Sequence, residues 1–227
     1  MVTAGGLYIQ ATRVPDNYQP VRLSKEDTKK ATAAFVQNFA QGFGNQVKEL
    51  EPFEWTLTQQ TANMYLASID EIAFSLPSGV RRGYVNEQMA EMGLADPAIA
   101  FDNGKITLMV RSTEYNKVLS AEIEVKLVAD DKLQFTLSAT RIGRLPMPSS
   151  FLTDQLQTLA TKLSGKQADD ISKTLADLLA AINGEPISPP DTWRIQGIKV
   201  DIEAITIADG KLTLKVRPIA PPRKKRK

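Results

Sequence analysis

KITLMVRSTEYNKVLSAEIEVKLVADDKLQFTLSATRIG, residues 105–143, decides the fold. Ile106, Leu108 and Val110 alternate with Thr107, Met109 and Arg111; Leu119, Ala121, Ile123, Val125 and Leu127 alternate with Ser120, Glu122, Glu124 and Lys126. Leu133, Phe135, Leu137 and Ala139 then alternate with Gln134, Thr136, Ser138 and Thr140. A period of two held over this distance means strands with one buried and one wet face. Polar turns at Asp102-Asn103-Gly104, Glu114-Tyr115-Asn116 and Ala129-Asp130-Asp131 separate the runs, which is hairpin chemistry and predicts an antiparallel meander. Strands approaching about ten residues predict a long, curved sheet.

On either side of the meander the period changes to that of a helix. Upstream, Ser24 with Asp27 makes a capping-box-like start for a helix over 24–42, in which Ala31, Phe35, Phe39 and Phe43 recur every four residues and Gly42 and Gly44 form the stop. An extended piece, Phe53–Leu57, leads to a helix capped by Thr58 with Ala62, Tyr65, Leu66 and Ile69 on one face, and a short helix follows at Glu87–Met92 before Gly93. Downstream, Leu152, Leu156, Leu159 and Leu163, then Ile171, Leu175, Leu178, Leu179 and Ile182, predict two more helices. The last element is a hairpin: Ile198, Val200 and Ile202, a bulge where Ala204 and Ile205 break phase, the turn Ala208-Asp209-Gly210, and Leu212, Leu214 and Val216. Its apolar face is expected to join the same sheet. The class is α+β, a long curved antiparallel sheet packed on or wrapped around several helices. The expected organisation is an N-terminal extension (1–23), one α+β domain (24–218) and a disordered basic tail (219–227).

Composition removes much chemistry. The chain has 227 residues, no His and no Cys, so it holds no imidazole base, thiol nucleophile, disulfide, or zinc or iron–sulfur site of the usual kind. No P-loop and no S-x-x-K sequence is present, and Gly42-Phe43-Gly44 lacks the third glycine and the strand-to-helix setting of a dinucleotide fingerprint. Carboxylates remain as the acid or base candidates: Glu49, Glu51 and Glu54, Asp70-Glu71, Asp130-Asp131 and Asp169-Asp170. Their places at turns and helix starts have backbone explanations. The expectation is a non-enzymatic chain with no cofactor and no metal.

Charge divides sharply. The last seven residues, PPRKKRK, carry five cations, Arg223, Lys224, Lys225, Arg226 and Lys227, and removing them turns a net charge of +2 into −3. The tail is the candidate contact with an anionic surface; with no interleaved aromatic and no base-reading fold, sequence-specific nucleic-acid binding is not expected. The first twelve residues are uncharged side chains, too few to span a bilayer by themselves, and read either as the remnant of a longer anchor or as a disordered or strand-forming end.

The most distinctive segment is Arg141-Ile142-Gly143-Arg144-Leu145-Pro146-Met147-Pro148. Gly143 permits a sharp exit from the strand and the two prolines deny helical hydrogen bonds, leaving Leu145, Met147 and Phe151 on a stiff connector. Those three residues either cap the core or meet an apolar ligand or a membrane.

Three stretches, Val14-Pro15-Asp16-Asn17-Tyr18, Leu57-Thr58 through Asn63-Met64-Tyr65-Leu66, and Ile142 through Pro148, resemble in order the motifs of the YpmS-like group of bacterial proteins. The resemblance implies an envelope domain behind an N-terminal membrane anchor, related to lipid-binding folds in which a curved sheet wraps a helix. It carries no catalytic residues. Three functions follow as expectations: a membrane-associated domain binding a lipid, another apolar ligand or the membrane surface; a protein-interaction scaffold using a sheet edge or the connector at 141–148; and, third, a carboxylate-based hydrolase. Location on the extracytoplasmic side follows if an anchor precedes Met1; as it stands the chain reads as soluble.

The tail yields a first prediction. Near an anionic bilayer each Lys or Arg adds about 1 kcal/mol. Deleting Arg223–Lys227 is expected to leave folding intact and to weaken co-sedimentation with anionic liposomes, the difference shrinking as salt rises; equal binding by the shortened chain would exclude this role.

Overall fold

Ser24 opens a helix, its hydroxyl oxygen accepting the Asp27 N–H at 3.1 Å. This computed structural model describes residues 10–75, 81–128, 132–148, 150, 194–195 and 198–220. The helix α1 (Lys25–Phe35) does not end at Gly42 or Gly44 as expected. It widens into a π-helical stretch, Val36–Phe43, and continues as α2 (Gly44–Lys48). The reason lies in the aromatic spacing. A strict interval of four overruns an α-turn of about 3.6 residues, so Phe35, Phe39 and Phe43 would drift around an α-helix; wider π turns take up the excess. The rings stack at 5.4 and 6.0 Å between centroids. Gly44 keeps a right-handed φ of −63°, and the chain leaves the helix at Leu50, whose φ is 58°.

Strand β1 (Phe53–Thr58) passes directly into α3 (Gln59–Ala67), with the Thr58 hydroxyl accepting Thr61 N–H at 3.1 Å. Next come α4 (Ile69–Ser75) and α5 (Tyr84–Glu91). α5 starts three residues ahead of the expected Glu87 because its cap comes from another helix: the Asp70 carboxylate accepts the N–H groups of Gly83 (2.7 Å) and Val85 (3.0 Å). Gly93, with a φ of 68°, then ends it.

Five strands make the meander sheet in the order β2 (Leu94–Asp102), β3 (Lys105–Ser112), β4 (Lys117–Val128), β5 (Lys132–Ile142) and β6 (Leu145–Met147). No strand was expected at β2, since Ala95, Asp96, Pro97 and Ala98 have poor strand propensity. Its edge position and a bulge between Ala95 and Ala98 are what accommodate the proline. In β5, Ser138 is an extra residue opposite Glu122 and Ile123, so the expected phase slips. Ala139 shares a face with Glu122, and Thr140 and Ile142 move to the face of Leu137.

The last hairpin does not join this sheet, contrary to expectation. β8 (Ile198–Ala208) and β9 (Lys211–Ile219) pair with β1 on one side and the two-residue β7 (Arg194–Ile195) on the other, in the order β1-β9-β8-β7. β1 is therefore the strand that recruits the hairpin, with Trp55 opposite Leu214 and Leu57 opposite Leu212. The bulge falls where the phase break predicts, at Glu203 between Ile202 and Ala204. The expected helices at 152–163 and 171–182, the turn at 129–131 and residues 221–227 of the tail lie outside the described residues, whereas Ile219, expected in the disordered tail, is the last residue of β9, paired with Lys199.

The two sheets meet at their hairpin tips. Gly104 donates to the Ile207 carbonyl at 2.9 Å and Gly210 donates to the Phe101 carbonyl at 3.0 Å. Asn103-Gly104 and Asp209-Gly210 both have the paired positive φ of a type I′ turn. Beneath them Phe101, Ile207 and Ala62 form a buried cluster, with Ile106, Val125 and Leu212 packed on it. A second core joins Phe43 and Val47 of the helix to Val200 and Val216. Among the described residues no helix is long and apolar enough to cross a membrane.

Helix α3 also closes the exposed edge of β2. The Asn63 side chain donates to the Ile99 carbonyl (2.9 Å) and accepts the Ile99 N–H (2.7 Å), while Gln59 Oε1 accepts the Phe101 N–H (3.1 Å). Two amides one helical turn apart thus stand in for a neighbouring strand. Asn63 is 3% exposed, so Asn63→Ala would strand a buried donor and acceptor. The expected loss is roughly 2–4 kcal/mol in urea unfolding, far more than for Thr56→Ala on the exposed face of β1.

Candidate functional site

Strand register across the meander places its apolar residues on one face. One transverse row runs Ile99, Leu108, Ala121, Thr140, Met147; the next runs Val110, Leu119, Ile142, Leu145. Directly opposed residues share a face, so Leu145 and Met147 extend this surface to the edge strand β6. Both are half-buried, as are Val110, Leu119, Ala121 and Ile142, whereas Leu108 near the middle is 43% exposed. The one polar member, Thr140, is neutralised by donating its hydroxyl to the Met147 carbonyl at 2.8 Å. At one end the face is covered by the second sheet through Phe101 and Ile106. Of the two rows, Ile99 packs on that shared cluster. Phe151 and Arg223–Lys227 are outside the described residues.

The opposite face, expected to be the wet one, is crossed by the N-terminal segment, which buries Met109 and Val118 at one end, while Thr107, Ser120 and Glu122 give the rest a polar character. Tyr18 packs on Ala98, Ala100, Met109 and Val118, and its hydroxyl donates to the Asp96 carbonyl at 2.8 Å. Asp96 gathers Arg22 Nη2 (2.9 Å) and Arg111 Nε and Nη2 (2.9 and 2.7 Å) on one carboxylate oxygen. At the other end the segment meets the β5–β6 turn. The Arg144 N–H donates to the Gln10 carbonyl at 2.9 Å, and the Arg144 guanidinium pairs with Asp16. Gly143, with a φ of 59°, allows this approach: a Cβ there would stand 2.5 Å from the Ala11 carbonyl oxygen. Two stretches far apart in sequence, Val14–Tyr18 and Ile142–Pro148, are thereby brought together.

Between them is a hollow of about 270 Å³, lined by Pro15, Asp16, Asn17, Thr107, Ser120, Glu122, Arg141, Gly143 and Arg144. Glu122 is its fixed anion, held by Arg141 and by Lys105 at 3.3 Å, with its side chain only 15% exposed. Reading Glu122 as one more wet-face residue missed this. The available signal was in the connector, where Arg141 and Arg144 flank a glycine. A larger groove of about 440 Å³ along α1, lined by Lys29, Ala33, Gln37 and Glu71 among others, is shallow and open and converges no paired chemistry.

Of the carboxylates singled out in the sequence, Asp70 and Glu71 have structural roles. Asp70 caps α5 and Glu71 pairs with Arg82 at 2.8 Å. Glu54 sits within β1, not in a turn. Asp130-Asp131 and Asp169-Asp170 fall outside the described residues. No protein-family model, curated protein or solved structure matches this chain.

The Asp96 cluster gives a pH prediction. The hydrogen bond from Arg22 holds the Asp96 carboxyl below its usual 3.8; Arg111 adds to this and burial opposes it. A depressed folded value stabilises the protein above the unfolded pKa, and the gain is lost as pH falls through the folded value. Wild-type stability is expected to drop as pH falls below about 4, with a shallower drop in Asp96→Asn; superimposable acid limbs would show that the cluster contributes nothing.

Proposed function

We propose that this chain is a non-enzymatic binding domain that holds a lipid, another apolar ligand or a membrane surface against the apolar face of its five-stranded sheet. The observation that carries this reading is the pair of apolar rows running from β3 to Leu145 and Met147 on β6, with Leu108 43% exposed among them. Contiguous apolar surface of this kind is costly in water, and an apolar ligand gains from covering it. Aliphatic side chains on a sheet offer no directional hydrogen bonds, so the preferred ligand is a chain or ring system without polar groups at the contact.

The basic tail complements this. Five cations after Pro221 and Pro222 supply a salt-sensitive second attachment to an anionic headgroup surface, beside the apolar contact. The likeness to the YpmS-like envelope proteins supports the same setting, a domain working at the cell envelope on the extracytoplasmic side of a membrane. The engagement of Asp70 in a cap and of Glu71 in an ion pair favours binding over hydrolysis. Strand addition at the edges of the five-stranded sheet is disfavoured as a scaffold mechanism, because α3 amides occupy β2, and β6 is three residues long and lacks an N–H at Pro146.

Organic extraction of the purified chain followed by mass spectrometry is expected to release an apolar molecule. The double variant Leu108→Asp, Met147→Asp should retain its far-UV circular dichroism and lose at least tenfold in affinity for an apolar fluorescent probe and for liposomes. A wild-type chain that extracts clean and binds neither would refute the proposal.

A further inference from the structure

We propose that the hollow beneath the N-terminal segment is a binding site for a phosphate group. It lies on the polar face of the five-stranded sheet, opposite the apolar rows, and does not depend on the ligand proposed for them. Arg141 and Arg144 line it beside two carboxylates, Asp16 and Glu122, and Lys105 reaches Glu122 from outside the lining, which leaves one positive charge in excess over the cluster. The two carboxylates are not equivalent. Glu122 is 15% exposed and held from both sides by Lys105 and Arg141, so it stays. The Asp16 side chain is 89% exposed and meets Arg144 alone, so it can swing into water at little cost.

With Asp16 displaced the cluster, Lys105 included, carries two net positive charges, which match the −1.5 to −2 of a phosphate monoester at about pH 7. A guanidinium presents a planar fork of N–H donors that suits phosphate oxygens better than an ammonium does. Arg144 would turn its fork from Asp16 to the ligand, and Arg141 has donors left after Glu122. The hydroxyls of Thr107 and Ser120 line the same hollow and make no hydrogen bond with another described residue, so they remain open to phosphate oxygens. The volume of about 270 Å³ accommodates a phosphate with part of the group it esterifies. A fully enclosed apolar ligand would find two arginines and a glutamate in its way.

The geometry also holds the site ready. Gly143 keeps the backbones of residues 11–13 within contact of the β5–β6 turn, so Pro15–Asn17 stay over the sheet whether or not Asp16 is paired. Glu124, the next carboxylate along β4, is taken by Lys126 at 2.9 Å and does not cancel the excess charge.

The test is calorimetric titration of the full chain with inorganic phosphate, alongside Arg144→Gln and Asp16→Asn. Saturable binding to the wild type is expected, at least tenfold weaker in Arg144→Gln and several-fold tighter in Asp16→Asn, where the competing carboxylate is gone. Arg144 is 41% exposed, so its replacement is expected to leave the near-UV spectrum unchanged; should it not, Asp16→Asn alone decides, since only a site that Asp16 competes for tightens on its neutralisation. No phosphate binding by the wild type, equal affinity in Arg144→Gln, or weaker binding in Asp16→Asn would each overturn the proposal. A second arm compares vesicles of phosphatidic acid and of phosphatidylcholine. Loss of the phosphatidic acid preference in Arg144→Gln, with the basic tail present throughout, identifies a lipid phosphate as the source. An unchanged preference together with Arg144-dependent binding of free phosphate identifies a soluble phosphorylated compound.

Discussion

Two backbone hydrogen bonds between hairpin tips hold this architecture together: Gly104 to Ile207 and Gly210 to Phe101. Each tip is a type I′ turn whose positive φ favours glycine, 76° at Gly104 and 71° at Gly210, and each glycine turns its N–H to the other tip. Gln59 then binds both partners, donating its N–H to the Gly210 carbonyl at 2.7 Å and accepting the Phe101 N–H on its side chain. The junction thus fixes the order of the fold. β1 must run straight into α3 so that Gln59 arrives at the crossing, and Phe101 and Ile207 must face one another beneath it. The two glycine N–H groups, the Phe101 N–H and the carbonyls of Phe101, Ile207 and Gly210 thus have partners at the contact where the two sheets share a core.

The same constraint divides the five-stranded sheet into covered and uncovered parts. Near the junction its apolar face is packed against Leu57, Ile205 and Leu212, while further along Leu108 is 43% exposed. On the polar face the N-terminal segment performs the equivalent covering with Tyr18 at one end and the backbone contact at Gly143 at the other. The two surfaces proposed to bind ligands are the places where neither cover reaches fully: an apolar one on one side and a charged one on the other, back to back across β4 and β5.

Much of this was legible from residues alone. The alternation in 105–137 gave the strands and their faces, the capping oxygens of Ser24 and Thr58 gave two helix starts, and the broken phase at Ala204 gave the bulge at Glu203. The connector at 141–148 was recognisable because glycine and proline constrain the backbone by their own covalent structure. What escaped has a common cause. β2 is built from alanines, an aspartate and a proline, and it is a strand only because β3 and the α3 amides supply its partners. Helix α5 starts early only because Asp70, on another helix, caps it. Ser138 disturbs the pattern by a bulge that needs β4 opposite it.

By itself, then, the sequence determined the local periods, the turn chemistry, the α+β class, the charge split between domain and tail, and the absence of imidazole and thiol chemistry. These are properties of neighbouring residues and of composition. Tertiary structure alone decided that the last hairpin builds a second sheet with β1, that Arg144 and Asp16 face one another, and that Glu122 becomes the fixed anion of a hollow. Those facts depend on contacts between residues tens to more than a hundred positions apart. A period of two says which side chains share a face, but not which strand lies beside it or which segment covers it.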